Sequence, residues 1–381
     1  MAATPLTDVA QRLLANVEQD HGDLAPGIMR LPTTNYTDPA MYQREIEQIF
    51  HKVPLAVALT VDVPNAGDYL AYDIAGRAIV VVRGDDGVAR TFVNACRHRG
   101  APVVCNGAGT ARRMTCPYHA WVFDTKGSLV GLPQREQFGD ISDLGDMGLL
   151  ELPTAERVGI VFSVLTPGAT MDIDEWLGDM QGALELLELE KVYPHTTTTS
   201  LPSGNWKSTA DGYLDGYHIG FLHSSNLGLK QVNNRNTWDL FGPHVRLGFA
   251  NKTIVAQKGQ PVETWDLPDV MSLVHYVFPN VSISGQPGRA TMVSRLLPGP
   301  SVSEATVVQF HYSREPLDSP DKVQAMETRR KLYAAITGDE DFDTVIDINR
   351  TIPGMCGADF VFGRNESGNQ NLHTWVATLT A

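Results

Sequence analysis

The chain has 381 residues, 43% of them hydrophobic, which is enough for two or three domains and a sizeable core without disulfides. With 30 Lys and Arg against 44 Asp and Glu, the net charge is −14, which excludes non-specific nucleic-acid binding and docking on anionic lipid. The four cysteines are too few for a disulfide scaffold, and three of them, Cys96, Cys105 and Cys116, lie close together in sequence. Residues 1–20 lack a signal-peptide core, and no run approaches the roughly 20 apolar residues of a membrane span. A cytoplasmic address with reduced thiols is therefore expected.

In chain order, residues 6–19 and Pro39 to Lys52 read as helices. Asp38 is placed to cap the second, and Pro39 suits its first turn. Short strands follow at Tyr69 to Tyr72, Ala78 to Val82 and Arg90 to Val93, with Gly84 to Gly87 as a hairpin turn. Residues 172–191 show helical spacing of Ile173, Trp176, Leu177, Met180, Leu184 and Leu187. Beyond them lie strand-like runs at Met271 to Val277, Val281 to Ser284, Thr291 to Leu296 and Thr306 to Tyr312. Helical stretches are expected at 204–223, 320–337 and 341–350. Runs of strands flanked by helices, without regular alternation, predict an α+β fold with a mainly antiparallel sheet covered by helices. The expected organisation is an N-terminal helical segment (1–44) packing on the largest domain, a small all-β domain (45–165) and that larger α+β domain (166–381).

Two constellations carry chemistry. The first is Cys96-Arg97-His98-Arg99-Gly100 with Cys116-Pro117-Tyr118-His119. Each half offers one thiolate and one imidazole on a tight loop. Three readings compete: a structural zinc site, four unrelated buried side chains, and a Rieske [2Fe–2S] cluster, in which two Cys hold one iron and two His the other. The last fits every ligand position and describes a one-electron relay. Cys105 is expected as a buried thiol packing near the cluster, Cys356 likewise as a bland thiol, and Tyr118 and Trp121 as shielding and packing residues.

The second constellation places Asp211, Asp215, His218 and His223 within a glycine-rich segment. Histidines five apart point roughly 140° apart on a regular helix. Both can face one metal only if the helix widens, breaks or ends. Two His and a carboxylate with open positions form the site of non-haem Fe(II) oxygenases. The acidic cluster Asp339-Glu340-Asp341 can supply the carboxylate, while a solvated helix start accounts for Asp339 and Glu340.

Together these motifs resemble the α (terminal oxygenase) subunits of Rieske non-haem iron ring-hydroxylating oxygenases, over about residues 38–375. The likeness rests on Cys96-x-His98-x17-Cys116-x2-His119, on Asn205-Trp206-Lys207 followed by Asp215-x2-His218-x4-His223, and on Glu340-Asp341-Phe342-x2-Val345. Gly363-Arg364-Asn365-Glu366-x-Gly368 and His373 are also family-like, without an assigned role. The resemblance implies that Cys96, His98, Cys116 and His119 bind the cluster and that His218, His223 and Asp341 bind a mononuclear Fe(II). It makes Asp215 the acid that bridges to a cluster histidine, His119 or His98, of a neighbouring subunit in a trimer. Asp211 departs from the Asn of many relatives, and Ala120 from a common Gly.

The implied function is O2-dependent hydroxylation of a hydrophobic, aromatic small molecule, as a dihydroxylation or a monooxygenation. Oxidative N- or O-demethylation is the alternative, and a non-catalytic Rieske electron carrier the alternative of another class. Electrons would come from NAD(P)H only indirectly, through a separate reductase and in some systems a ferredoxin, because no Gly-x-Gly-x-x-Gly follows a strand. The resemblance implies a homotrimer or a multiple of trimers, with or without a β subunit. Asp rather than Glu at position 215 favours the aromatic branch over quaternary ammonium substrates. Pocket candidates are Phe221, Leu222, Leu227, Leu229, Val270 to Val277 and Val281 to Ser284.

Overall fold

The computed structural model describes residues 4–140 and 146–381. The chain divides into two units, Phe50–Trp176, and Met1–Ile49 with Leu177–Ala381. The fold is α+β, and its sheets are antiparallel throughout the described pairings.

Within Phe50–Trp176, the strands Asp68–Ile74, Arg77–Arg83 and Ala89–Val93 are consecutive neighbours in a five-stranded sheet. Gly87, at φ +78°, closes the hairpin between the last two, a conformation that glycine adopts without steric cost. A three-stranded sheet pairs Met114–Thr115, Val122–Phe123 and Leu129–Gly131. The core between these elements includes Val80, Val82, Phe92, Met114, Trp121 and Phe123, and it also contains Cys96 and Cys116.

The other unit is built on an eight-stranded sheet running from Thr237–Phe241 through His244–Ala250, Met271–Val277, Val281–Gly285 and Thr291–Pro298 to Ala305–Ser313. Ala305–Ser313 alternates buried and part-exposed residues over most of its length, the period of a strand with unlike faces. His244–Ala250 is buried along its whole length, because it lies between neighbours on both edges and is covered as well. Helix Leu6–Glu18 presents Val9, Ala10 and Leu13 to a core with Ala250, Ile254 and Met271. Helix Pro39–Glu45 starts where expected, with Asp38 Oδ1 accepting from Ala40 N at 2.8 Å.

Five expected helical stretches are shorter or altered, the first of them Pro39 to Lys52, which is α-helical only to Glu45 and continues as a π segment, Ile46–Phe50. Residues 172–191 form two short α-helices, Ile173–Leu177 and Met180–Glu185, separated at Gly178 with φ +48°. The stretch 204–223 is α-helical only over Trp206–Tyr213, and a 3₁₀ turn, His218–Gly220, follows a break. The stretches 320–337 and 341–350 are joined: helix Pro320–Ala335 widens into a π segment, Ile336–Phe342, and continues as Asp343–Thr351. Among the described residues no helix is long and apolar enough to cross a membrane.

Candidate functional site

The two cysteine loops have the same backbone construction. Cys96 N donates to Ala101 O, and Gly100 N donates back to Cys96 O, both at 2.8 Å. Cys116 N donates to Trp121 O at 2.8 Å, and Ala120 N to Cys116 O at 3.0 Å. Each loop turns through a residue of positive φ four positions after its cysteine, Gly100 at +78° and Ala120 at +53°. A left-handed residue is needed at both places, which explains why glycine suits position 120.

These loops bring the four side chains together. Cys96 and Cys116 are both buried and both free thiols, and they interact with each other. Burial and the neighbouring Cys116 push the Cys96 thiol up, while N–H groups of His98 and Arg99 oppose the shift. The His98 and His119 rings lie 4.7 Å apart, edge to face. His98 stacks on buried Trp121, with centroids at 5.1 Å and planes 6° apart. Its Nδ1 is buried without a hydrogen-bond partner. Two apposed reduced thiols, two facing imidazoles and an orphaned ring nitrogen fit a [2Fe–2S] group held by Cys96, Cys116, His98 and His119. Tyr118 packs over His119 at 3.8 Å but is 57% exposed. Cys105 is exposed, not buried against the cluster, because it lies on the loop leading into Gly107–Thr110; Cys356 is exposed as well.

The second constellation converges through the break predicted by its spacing. The helix ends at Tyr213, so His218 and His223 leave the regular 100° progression and face each other at 5.0 Å. Glycine allows close packing there: a Cβ on Gly216 or Gly220 would meet the Asn236 or Asn233 side chain at 2.5 Å and 2.4 Å and displace it. From the other side, the π segment delivers Asp341, whose Oδ1 lies 2.9 Å from His223 Nε2 and 3.6 Å from His218 Nε2. One ligand atom from each of His218, His223 and Asp341 lies within 4.8 Å of the others, so the three can hold a metal ion.

Carboxylates orient both rings. Asp215 Oδ2 lies 3.0 Å from His218 Nδ1, and its Oδ1 accepts from Tyr217 N at 2.6 Å. Glu340 Oε2 lies 2.5 Å from His223 Nδ1, while Asn226 Nδ2 donates to Glu340 Oε1 at 2.8 Å. A carboxylate only accepts, so each Nδ1 carries a proton, and Nε2 of each ring is the nitrogen left to give its lone pair to a metal. Burial opposes the charged form of His223, yet Asp341 and Glu340 prevail and raise its pKa. A metal cation at Nε2 would take the place of that proton. Glu340 is therefore not the solvated helix-start residue expected from its sequence context. Its orienting role was missed because only the π widening turns two consecutive acids toward one ring.

Asp211 does not touch the triad. It accepts from Tyr36 Oη at 2.6 Å, from His373 Nε2 at 2.9 Å and from Asn369 Nδ2 at 3.2 Å. These bonds fasten the helix to residues from both ends of the chain, and they give His373 a role. Beside Asp211 and Asp215 sits Glu366, whose carboxyl is pushed up to about 7 by burial and by these two acids, against a bond from Gly363 N.

A cavity of about 440 Å³ opens on the triad, with Ile219, Leu227, Phe249, Leu273 and Val274 among its lining. Of the expected pocket residues, Leu227, Ser272, Leu273, Val274 and Ser284 line it. Phe221 and Leu229 are instead exposed, and Leu222 lines a smaller neighbouring cavity of about 300 Å³.

Comparison with known proteins agrees with this geometry. Residues 187–381 match the model of the ring hydroxylating alpha subunit (catalytic domain), and residues 53–154 that of the Rieske [2Fe-2S] domain. The 2-aminobenzenesulfonate 2,3-dioxygenase subunit alpha of Alcaligenes sp is 34% identical over 54% of this chain and 53% of its own length. The carnitine monooxygenase oxygenase subunit of Escherichia coli (strain K12) is 35% identical over 51% of this chain and 52% of its own. The chain spans about half the length of these curated relatives in the matched regions. The crystal structure of a quaternary ammonium Rieske monooxygenase with L-carnitine superposes with TM-score 0.78 at 21% identity, covering 100% of both chains. Naphthalene 1,2-dioxygenase from Rhodococcus sp. bound to indole superposes with TM-score 0.76 at 20% identity, covering 100% of this chain and 99% of that one, so the fold is shared. The chain belongs to the ring-hydroxylating alpha subunit family, with a Rieske domain preceding the catalytic domain.

Proposed function

We propose that the protein is the terminal oxygenase of a multicomponent system that hydroxylates a hydrophobic, aromatic-sized small molecule with O2. The observation that carries this reading is the His218–His223–Asp341 triad at the floor of a largely apolar cavity, in a chain that also holds two Cys and two His on paired loops. When bound, the [2Fe–2S] group supplies single electrons and the mononuclear iron supplies O2 activation. The chain's own residues do the rest. Asp215 and Glu340 keep the protons on Nδ1 of His218 and His223, which leaves both Nε2 lone pairs for iron. Asp341 contributes charge, so the donor set is two neutral imidazoles and one carboxylate. The apolar wall excludes water and seats the substrate against the triad.

Asp215 is proposed to receive the Rieske histidine of a neighbouring subunit in a trimer. Asp215 is still 23% exposed on its side chain, and the exposed aromatics Tyr217 and Phe221 flank it. His119 is likewise exposed beside Tyr118. These are groups that subunit contact would cover. A separate reductase, with or without a ferredoxin, is the proposed electron donor.

The test is reconstitution followed by an iron count and O2-uptake measurements. About three Fe per chain, with O2 uptake stimulated by an arene, supports the oxygenase. Two Fe with no stimulated uptake would reduce the protein to an electron carrier.

A further inference from the structure

The cavity beside the triad is not apolar throughout. Two cations, Lys230 and Arg329, stand in its lining. Arg329 belongs to helix Pro320–Ala335 and lies over the Tyr333 ring, 4.8 Å from its centroid. One of its terminal nitrogens donates to Ala290 O at 3.0 Å. Its Nε is buried and has no acceptor. Among the described residues no carboxylate forms an ion pair with Arg329 or with Lys230. The nearest candidate by sequence, Glu327, is taken by Arg330 through two bonds of 2.8 Å and 2.7 Å. The acids in the cavity lining, Asp215 and Asp341, are committed to the imidazoles at the metal end. Arg329 precedes Asp341 by 12 residues on a nearly continuous helix, roughly 18 Å of rise. The cavity thus has a metal end and a cationic end with an apolar wall between them.

Arg329 is part-buried, but its Nε is a buried donor with nothing to give to, and such a donor is costly unless something accepts from the guanidinium. Guanidinium forks match planar or tetrahedral oxyanions better than any neutral acceptor. Stacking on Tyr333 holds the fork in place before a ligand arrives. We infer that Arg329 is the specificity residue of this site, and that the substrate is an organic acid. Its apolar, aromatic-sized body lies along Phe249, Leu273 and Val274, and its carboxylate or sulfonate pairs with the guanidinium. Lys230 adds long-range attraction for the anion as it enters. The inference rests on the oxygenase reading only in taking this cavity as the substrate site.

The test is calorimetric binding to the iron-loaded protein. The probes are benzoate, 2-naphthoate, 2-naphthalenesulfonate and the neutral 2-naphthamide, against wild type, Arg329→Gln and Arg329→Lys. At least one anion should bind tenfold or more tightly than the amide. Arg329→Gln should erase that preference while leaving amide binding within twofold, and Arg329→Lys should restore part of it. Naphthoate against naphthalenesulfonate tells which oxyanion is preferred. Equal binding of amide and acids, survival of the preference in Arg329→Gln, or no binding of any anion at millimolar concentration overturns the proposal. O2 uptake is read separately. Arginine-dependent anion binding without any uptake would defeat the oxygenase reading and leave the acid site standing.

Discussion

Glu340 and Asp341 are consecutive in sequence, yet they grip opposite nitrogens of the same imidazole. Glu340 Oε2 is 2.5 Å from His223 Nδ1, and Asp341 Oδ1 is 2.9 Å from His223 Nε2. Neighbours on an α-helix diverge by about 100°, so this grip needs the π widening at Ile336–Phe342. It makes Glu340 the residue that fixes the tautomer of a buried ligand histidine.

Glu340→Gln should keep the shape and remove the charge that favours the Nδ1-protonated ring. The affinity for mononuclear iron should fall about 10- to 100-fold. Under graded chelator challenge, iron should drop from about three toward two per chain, with the visible spectrum of the cluster unchanged. Equal retention in variant and wild type would show that Glu340 does not orient the ligand.

How much of this was readable in advance differs between the two centres. The Cys96–His98 and Cys116–His119 pairs were legible because tight loops bring neighbours in sequence together in space. The triad was half legible. A five-residue spacing required the helix to widen, break or end if both rings were to face one metal, and Gly212, Gly216 and Gly220 fitted such irregularity, while the actual end at Tyr213 was not marked. The role of Glu340 was hidden, because an acidic run at a helix start looks the same whether it is solvated or holds a ring. The exposure of Cys105 was hidden too: composition favours burial of a thiol, while the loop before Gly107 decides otherwise. The helix expected at 204–223 failed where local propensity yielded to the demands of the site.

A second variant addresses the cluster loop. Ala120 holds φ +53°, where a Cβ costs about 1–2 kcal/mol, while glycine carries an entropic penalty of roughly 0.5–1 kcal/mol. Ala120→Gly should therefore be neutral to stabilising, by up to about 1 kcal/mol. Ala120→Val should destabilise, since β-branching is worst in this region. Thermal unfolding of the cluster-loaded protein checks both. A clear loss of stability in Ala120→Gly would mean that the methyl group packs favourably enough to outweigh the backbone strain.

Lys207 and Glu45 form an ion pair whose side chains are both 0% exposed, and Trp206 Nε1 donates to the same carboxylate at 2.7 Å. Burial pushes the Lys207 amine down, and the Glu45 carboxylate opposes that shift. Removing one partner leaves the other charged and buried, at a cost of about 3–5 kcal/mol. Glu45→Ala should lower the denaturant midpoint sharply. The double variant Glu45→Leu with Lys207→Met should recover most of the loss. If the double variant is no better than Glu45→Ala, the pair contributes more than mutual neutralisation.

Glu366 offers a pH signature of the acidic group around Asp215. Burial first, and then the charges of Asp215 and Asp211, push its carboxyl up to about 7. An acid whose folded pKa is raised binds more protons folded than unfolded, so stability falls as pH rises. The contribution is intact below the ordinary glutamate range near 4.5 and is lost as pH climbs through about 7. Glu366→Gln keeps an oxygen to accept from Gly363 N but cannot ionise. The variant should match wild type at pH 5 and exceed it at pH 8, in Tm or in urea midpoint. The gain should shrink in the Asp211→Asn background, because one of the two acids that crowd Glu366 is then gone. A pH-independent difference between Glu366→Gln and wild type would show that the carboxyl titrates normally and that the crowding is relieved by solvent.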